Sequence, residues 1–218
     1  MPPPTHVIFD LDGVLLDTEH LYTEVTQAIV ARYRKTFDWS LKANMIGRGA
    51  LESAKYLVAV LDLPISPEQF LAERDRNLAA LFPGVAEIPG ARAFTCGLHE
   101  RGIPMAVATS TDERYFRLKV ERHHDWFSIF SVVVCGDDPR LQRPKPQPDI
   151  FLLAARDLKA DPGGCLVFED SPAGVKAARA AGMRVVAMPD RHVDPSIFAE
   201  ADLVVKSYEE CAFHKFGL

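Results

Sequence analysis

The chain has 218 residues, of which 48% are hydrophobic and 25% are charged, which is the balance of an ordinary globular protein with enough apolar material for a sizeable core. The formal net charge of −5 and the lack of a basic run argue against a nucleic-acid polymer as partner. The four cysteines form no C-x-x-C pair, which favours free thiols in a reducing compartment. Neither a signal segment nor an apolar run of about 20 residues occurs, so we expect a cytoplasmic protein with no membrane partner.

The first predicted element is a short buried strand over residues 6–9. It delivers Asp10, and Asp12 follows two positions later on the same side of an extended chain. Gly13 then lets the chain turn away through a conformation that costs other residues energy. Because the central strands of an open parallel sheet end at the ligand crevice, Asp10 and Asp12 are candidates for chemistry, and a solvated turn is the alternative interpretation.

A helical segment follows this strand. Apolar residues at helical spacing predict helices after residue 18 and over about 51–61, and Ser66-Pro67 predicts the start of a third helix. No strand is evident up to residue 82, so we expect residues 18–83 to form a small all-helical domain. Arg48 lies in a Gly-Arg-Gly loop of this segment, where substrate contact and a solvated charge are equally good interpretations.

Strands and helices alternate through the rest of the chain. Strands are predicted at 104–108, 132–135, 165–168, 185–187 and 203–205, and helices at 91–101, 112–123, 149–159 and 173–181. This alternation predicts an α/β fold, a doubly wound parallel sheet with helices on both faces. We expect residues 1–17 and 84–218 to form this core domain.

The predicted strand ends carry groups that suit phosphoryl transfer. After the first two aspartates come Thr109-Ser110, then Lys145, then Glu169-Asp170. A carboxylate that attacks a phosphate dianion meets like-charge repulsion of about 4 kcal/mol at a distance of about 4 Å and an effective dielectric of about 20. The lysine and a divalent cation would relieve this repulsion. The remaining negative excess favours one protonated carboxyl group, and a leaving alkoxide needs that proton.

Four motifs, in this order, resemble those of the haloacid dehalogenase superfamily. They are Asp10-Leu11-Asp12-Gly13-Val14, Val107-Ala108-Thr109-Ser110, Lys145-Pro146-x-Pro148-Asp149 and Phe168-Glu169-Asp170-Ser171-Pro172-Ala173-Gly174. The helical insert is similar to the first cap type of that superfamily, which would make residues 18–83 a cap domain. The segments that resemble the pseudouridine 5′-phosphatase branch are Met45-Ile46-Gly47, Gly136-Asp137-Asp138-Pro139 and Phe216-Gly217-Leu218.

The resemblance implies a phosphatase that works through an aspartyl-phosphate. Asp10 would be the nucleophile, and Asp12 the general acid for the leaving group and then the base that activates water. Thr109, with the Ser110 backbone amide, would bind phosphate oxygens. Lys145 would neutralise charge near Asp10 and the phosphate. Proline stands directly before this lysine where the superfamily usually has glycine. Because proline fixes φ and has no N–H, the resemblance does not predict the shape of the loop that carries Lys145.

The same resemblance implies a magnesium site. Its ligands would be the Asp10 carboxylate, the Asp12 backbone carbonyl and Asp170, with Glu169 as a further ligand, directly or through water. The cap would present Arg48 to the substrate. The implied partner is a small phosphorylated metabolite. We expect the chain itself to be a monomer. Pseudouridine 5′-phosphate is the first choice, and a sugar phosphate, glycerol phosphate or FMN are alternatives.

Two other functions fit parts of the pattern. A phosphomutase of the β-phosphoglucomutase type would carry a cap histidine at the position of Tyr22, and the lack of an imidazole there favours hydrolysis. A receiver-type signalling module also combines Asp, Mg²⁺, Thr and Lys on a doubly wound sheet. Receivers, however, place the nucleophile after a later strand and have no cap, so the motif order argues against this class.

Overall fold

The computed structural model of this chain describes residues 3–45 and 49–211. Its internal contacts divide the chain into two compact units, with boundaries after Asp17 and after Val85. The larger unit combines the two ends of the chain, and the smaller unit is the segment between the boundaries. The second boundary lies at residue 85 rather than at the expected residue 83.

The larger unit is built on a six-stranded parallel sheet, which confirms the predicted α/β fold. The strands are β1 (His6–Phe9), β2 (Met105–Ala108), β3 (Val132–Val134), β4 (Cys165–Glu169), β5 (Arg184–Ala187) and β6 (Leu203–Val204), in the order β3-β2-β1-β4-β5-β6. Phe9 of β1 pairs with Val107 of β2 and with Phe168 of β4. This register ends the three central strands at one edge of the sheet. The chain crosses from β3 back to β4 beside β1, so this edge carries the topological switch point where ligands bind in such folds.

The described part of the smaller unit contains four α-helices: α1 (Glu19–Ala31), α2 (Trp39–Ala43), α3 (Ala50–Leu61) and α4 (Pro67–Leu81). Helix α4 begins at the predicted cap, because Ser66 Oγ accepts from the Gln69 N–H while Gln69 Oε1 accepts from the Ser66 N–H. Leu57 of α3 and Phe70 of α4 are fully buried, which gives this unit an apolar interior. Helix α2 has no counterpart in the sequence prediction, since a five-residue helix is too short to show a periodic pattern.

The α-helices in the described part of the larger unit are α5 (Ala91–Glu100), α6 (Glu113–Val120), α7 (His124–Phe127), α8 (Asp149–Leu158) and α9 (Pro172–Ala180). Helix α8 packs on β2 and β3, and α9 packs on β5. Strands β2 and β4 are buried along their whole length, as expected for strands that are covered on both faces. All four cysteines are free thiols, three of them buried. The helices of the described residues are too short or too polar to cross a bilayer.

Candidate active site

The predicted site residues stand where β1, β2 and β4 end. Asp10 follows β1, and its N–H donates to the Phe168 carbonyl at 2.9 Å, which extends the pairing with β4 by one residue. Thr109 follows β2 and is fully buried, and its N–H donates to the Val134 carbonyl at 3.0 Å. Glu169 is the last residue of β4. The parallel register therefore gathers these side chains at the switch-point edge of the sheet.

Lys145 joins the ends of these strands. Its Nζ lies 2.6 Å from Asp10 Oδ1, 2.6 Å from Glu169 Oε1 and 3.2 Å from the Ala108 carbonyl oxygen. An ammonium group has three N–H donors, and each one has an acceptor here. Nζ also lies 4.9 Å from the centroid of the Phe151 ring. The proline before Lys145 thus leaves the side chain able to reach Asp10, and one ammonium group is shared between two carboxylates.

Burial dominates the titration of this cluster. It raises the pKa of Asp10 to about 7, while Lys145 opposes the shift and the charges of Glu169 and Asp12 add to it. Burial alone would lower the pKa of Lys145, but the charges and hydrogen bonds of Asp10 and Glu169 outweigh it and raise that pKa. With two carboxylates around one ammonium, the cluster keeps an excess of negative charge that favours a further cation.

Glu169 is fixed through both of its carboxylate oxygens. Oε1 accepts from Lys145, and Oε2 accepts from the N–H and the hydroxyl of Ser171, both at 2.9 Å. Ser171 Oγ also accepts from the Gly174 N–H at 3.0 Å and so caps α9. A Cβ atom at Gly174 would overlap the Glu169 carboxyl group. Glu169 therefore orients Lys145 in this structure, and its role as a metal ligand stays a prediction.

The predicted magnesium ligands are hard oxygen donors that suit this ion. Gly13 has a φ of +73°, and a Cβ atom there would overlap the Asp170 carboxylate. The Asp170 side chain therefore lies against the loop that follows Asp12. The predicted set for this ion is two carboxylates and one backbone carbonyl, and the described residues contain no cluster of three or more His, Cys, Asp or Glu side chains that could hold a metal. The Asp10 and Asp170 carboxylates with the Asp12 carbonyl fit such a set.

The loop after β2 can donate hydrogen bonds to an anion. Thr109 Oγ1 accepts from the Thr111 N–H at 3.1 Å, so its one hydroxyl proton can point to a ligand. Ser110 is exposed. A Cβ atom at Gly136 would overlap the Ser110 carbonyl group, so the end of β3 packs directly on this loop and supports it. This arrangement suits the predicted binding of phosphate oxygens.

Asp12 has partners that the sequence analysis missed. Lys119 Nζ lies 2.6 Å from Asp12 Oδ1, and the Thr111 hydroxyl donates to Asp12 Oδ2 at 2.7 Å. One signal was present in the sequence. Lys119 occupies the helical face of Phe116 and Val120, where the spacing predicts an apolar residue.

Two predicted residues belong to the smaller unit. Arg48 lies outside the described residues, as do Ile46, Gly47 and the ending 216–218 of the branch segments. The Tyr22 ring packs within its own unit, with its centroid 6.3 Å from that of Phe82 and 5.7 Å from Cζ of Arg74.

Comparison with known proteins gives matches over most of the chain. A family model described as haloacid dehalogenase-like hydrolase matches residues 4–182. The (DL)-glycerol-3-phosphatase 1, mitochondrial, of Arabidopsis thaliana is 48% identical over 98% of this chain and 74% of that protein. A Drosophila melanogaster protein provisionally named pseudouridine-5′-phosphatase is 38% identical over 98% of this chain and 94% of its own length. The crystal structure of a provisionally named β-phosphoglucomutase from Thermotoga maritima superposes with a TM-score of 0.80 at 32% identity, over 98% of this chain and 99% of that chain.

Proposed function

We propose a reaction for this chain from the premise that it belongs to the haloacid dehalogenase-like hydrolase family and hydrolyses phosphoric monoesters of small metabolites. The proposed hydrolysis requires Mg²⁺ and passes through an aspartyl-phosphate on Asp10. The observation that carries this proposal is the buried contact of 2.6 Å between Asp10 and Lys145 at the end of the central strand. The Lys145 ammonium group offsets part of the negative charge that repels an incoming phosphate, so the Asp10 carboxylate can act as a nucleophile there.

In the first step, an Asp10 carboxylate oxygen forms a bond to phosphorus while the bond from phosphorus to the alcohol oxygen breaks. Lys145 holds Asp10 Oδ1, so we assign the attack to Oδ2. Thr109 and the Ser110 amide donate hydrogen bonds to the phosphate oxygens. The carboxyl proton of Asp12 moves to the departing oxygen, which leaves as an alcohol.

In the second step, a water oxygen forms a bond to phosphorus and Asp12 accepts the proton of that water. The bond between phosphorus and Asp10 breaks, which releases inorganic phosphate and restores both carboxyl groups. Mg²⁺, held by Asp10, the Asp12 carbonyl and Asp170, with Glu169 as a predicted further ligand, would supply positive charge against the phosphate and the carboxylates.

Addition of Mg²⁺ is expected to raise the thermal unfolding midpoint of the wild-type chain. A ligand that binds only the native state stabilises it by about 2.7 kcal/mol at about 100 times its Kd. In Asp170→Asn this shift should vanish, because one of the proposed ligands is lost. Calorimetry with and without MgCl₂, at ionic strength matched with NaCl, measures the shift of the unfolding midpoint in the wild-type chain and in Asp170→Asn. An equal shift in the variant would remove Asp170 from the ligand set.

For the substrate, we favour glycerol 3-phosphate over the pseudouridine 5′-phosphate suggested by the branch motifs. The relative named as a glycerol-3-phosphatase is 48% identical to this chain, against 38% for the relative named as a pseudouridine-5′-phosphatase. Both compounds are small phosphate monoesters and so meet the same catalytic groups. Arg48 stays a predicted substrate contact.

A panel of phosphate monoesters tests this choice through kcat/KM for phosphate release. The panel contains glycerol 3-phosphate, pseudouridine 5′-phosphate, UMP, FMN and a deoxyhexose phosphate. We expect the highest kcat/KM for glycerol 3-phosphate. A higher value for pseudouridine 5′-phosphate would restore the motif-based choice. Conversion of β-glucose 1-phosphate to glucose 6-phosphate without phosphate release would indicate a mutase. A wild-type chain that released no phosphate from any ester with Mg²⁺ present would refute the phosphatase.

A further inference from the structure

Helix α6 carries a buried lysine that lies outside the four motifs. The Lys119 side chain is 0% exposed, with its Nζ 2.6 Å from Asp12 Oδ1 and 2.8 Å from Thr111 Oγ1. The Thr111 hydroxyl in turn donates to Asp12 Oδ2 at 2.7 Å. Both oxygens of the Asp12 carboxyl group are therefore bonded, one to an ammonium group and one to a hydroxyl, in a closed ring of hydrogen bonds.

The burial of Lys119 calls for an explanation. An ammonium group that leaves water loses much of its solvation free energy, and a partner only partly returns it. The usual residue on the inner face of a helix is apolar. Phe116, one turn earlier in α6, follows this rule, with its ring centroid 5.9 Å from that of Phe127. At position 119 the helix instead directs a cation at the side chain of Asp12.

We propose that Lys119 is a positioning residue that fixes the orientation of the Asp12 carboxyl group, with Thr111 as the second point of attachment. This inference rests on the proposed function, in which Asp12 gives its proton to the leaving oxygen as the bond from phosphorus to that oxygen breaks. The last torsion of an aspartate side chain is otherwise broadly distributed. Displacement of a reacting group by about 1 Å can reduce a rate by about 100-fold. With both oxygens bonded, Asp12 is oriented before the substrate arrives.

Lys119→Met tests this role, because methionine is also long and unbranched but carries no charge. The measured quantity is kcat/KM over a graded series of phenyl phosphates and one alkyl phosphate, since it reports formation of the aspartyl-phosphate and not its later hydrolysis. An activated aryl oxide leaves with little protonation, whereas an alkoxide requires it. We expect a loss of about threefold on 4-nitrophenyl phosphate and about 100-fold on the alkyl phosphate.

If Lys119→Met fails to fold, a pair of substitutions at Thr111 tests the orientation of the Asp12 carboxyl group through its second point of attachment. Thr111→Val keeps the shape of the side chain and the backbone bonds but removes the hydroxyl, and Thr111→Ser keeps the hydroxyl. We expect Thr111→Val to show the same dependence on the leaving group, and Thr111→Ser to restore the alkyl phosphate rate to within about threefold of wild type. Equal behaviour of the two variants on the alkyl phosphate would overturn the role of the hydroxyl.

Lys42 of the smaller unit provides a matched control. Its Nζ lies 3.0 Å from Glu19 Oε2 and 2.9 Å from Thr23 Oγ1, so it also joins a carboxylate and a threonine hydroxyl. Lys42→Met should lower thermal stability but leave the ratio of aryl to alkyl phosphate rates at the wild-type value. A loss in Lys119→Met that is equal across the series would make Lys119 a structural residue and overturn the proposal.

A readout without catalysis separates this inference from the proposed function. Inactivity of the wild-type chain on every monoester would refute the phosphatase but would not bear on the orientation of Asp12. Crystal structures of the wild-type chain and of Lys119→Met address that orientation. We expect the Asp12 carboxyl group to adopt a different side-chain rotamer in the variant. An unchanged Asp12 would overturn the role of Lys119 whatever the activity.

Discussion

Replacing Asp10 with asparagine is expected to reduce kcat/KM for any phosphate monoester by about 10³-fold or more. The amide keeps the shape of the carboxyl group but lacks the charged oxygen that attacks phosphorus. Initial rates of phosphate release at saturating Mg²⁺ measure the loss. The aspartyl-phosphate gives a second readout, because substrate labelled in its phosphate should leave label on acid-quenched wild-type protein and none on Asp10→Asn.

Asp125 supplies the matched control for this experiment. Its side chain is fully exposed in the same unit, in contact with the neighbouring His124 ring. Asp125→Asn removes one carboxylate charge by the same chemistry and should keep kcat/KM within about twofold of wild type, as surface substitutions usually do. If Asp10→Asn kept about a tenth of the wild-type activity, another group would have to be the nucleophile.

The sheet and its motifs could be predicted because they depend on local patterns. Residues 7–9 are all apolar and lead directly into Asp10, and the structure forms β1 over His6–Phe9. Residues 165–168, the first four of β4, are all apolar and predict this strand equally clearly, since strands that are covered on both faces need no polar positions. Parallel strands place their carboxyl ends at one edge, so the meeting of Asp10 and Glu169 follows from topology alone.

The partners of Asp12 could not be predicted with the same rules. Lys119 is 107 positions away in the sequence, and a lysine in a short helix is by default a solvated charge. Only the packing of α6 decides whether its inward face meets a carboxylate. The fourth motif likewise gave Glu169 as a candidate metal ligand but could not show that its carboxylate accepts hydrogen bonds from Lys145 and Ser171. That attachment depends on the close approach of α9, which Gly174 permits.

Gly174→Ala is therefore expected to reduce activity strongly, although it adds only one methyl group outside the reacting set. Alanine in a helix is normally more favourable than glycine by about 1 kcal/mol. Here its Cβ would overlap the Glu169 carboxyl group, and overpacking of a buried site costs about 1–3 kcal/mol. The overlap should outweigh the helix preference and lower the free energy of unfolding. Displaced Glu169 would shift Lys145 and with it Asp10, so we expect kcat/KM to fall about 100-fold.

Gly84→Ala is the control for this prediction, because a Cβ atom there has no neighbour within 4 Å. It should leave stability and kcat/KM near wild type. The loss in Gly174→Ala should be equal for aryl and alkyl phosphates, since Lys145 acts on the nucleophile and not on the leaving group, in contrast to Lys119→Met. The double variant Gly174→Ala/Glu169→Gln should lose little more than the worse single variant, because both changes break one contact. Additive losses would show that Gly174 supports the site by a route other than Glu169.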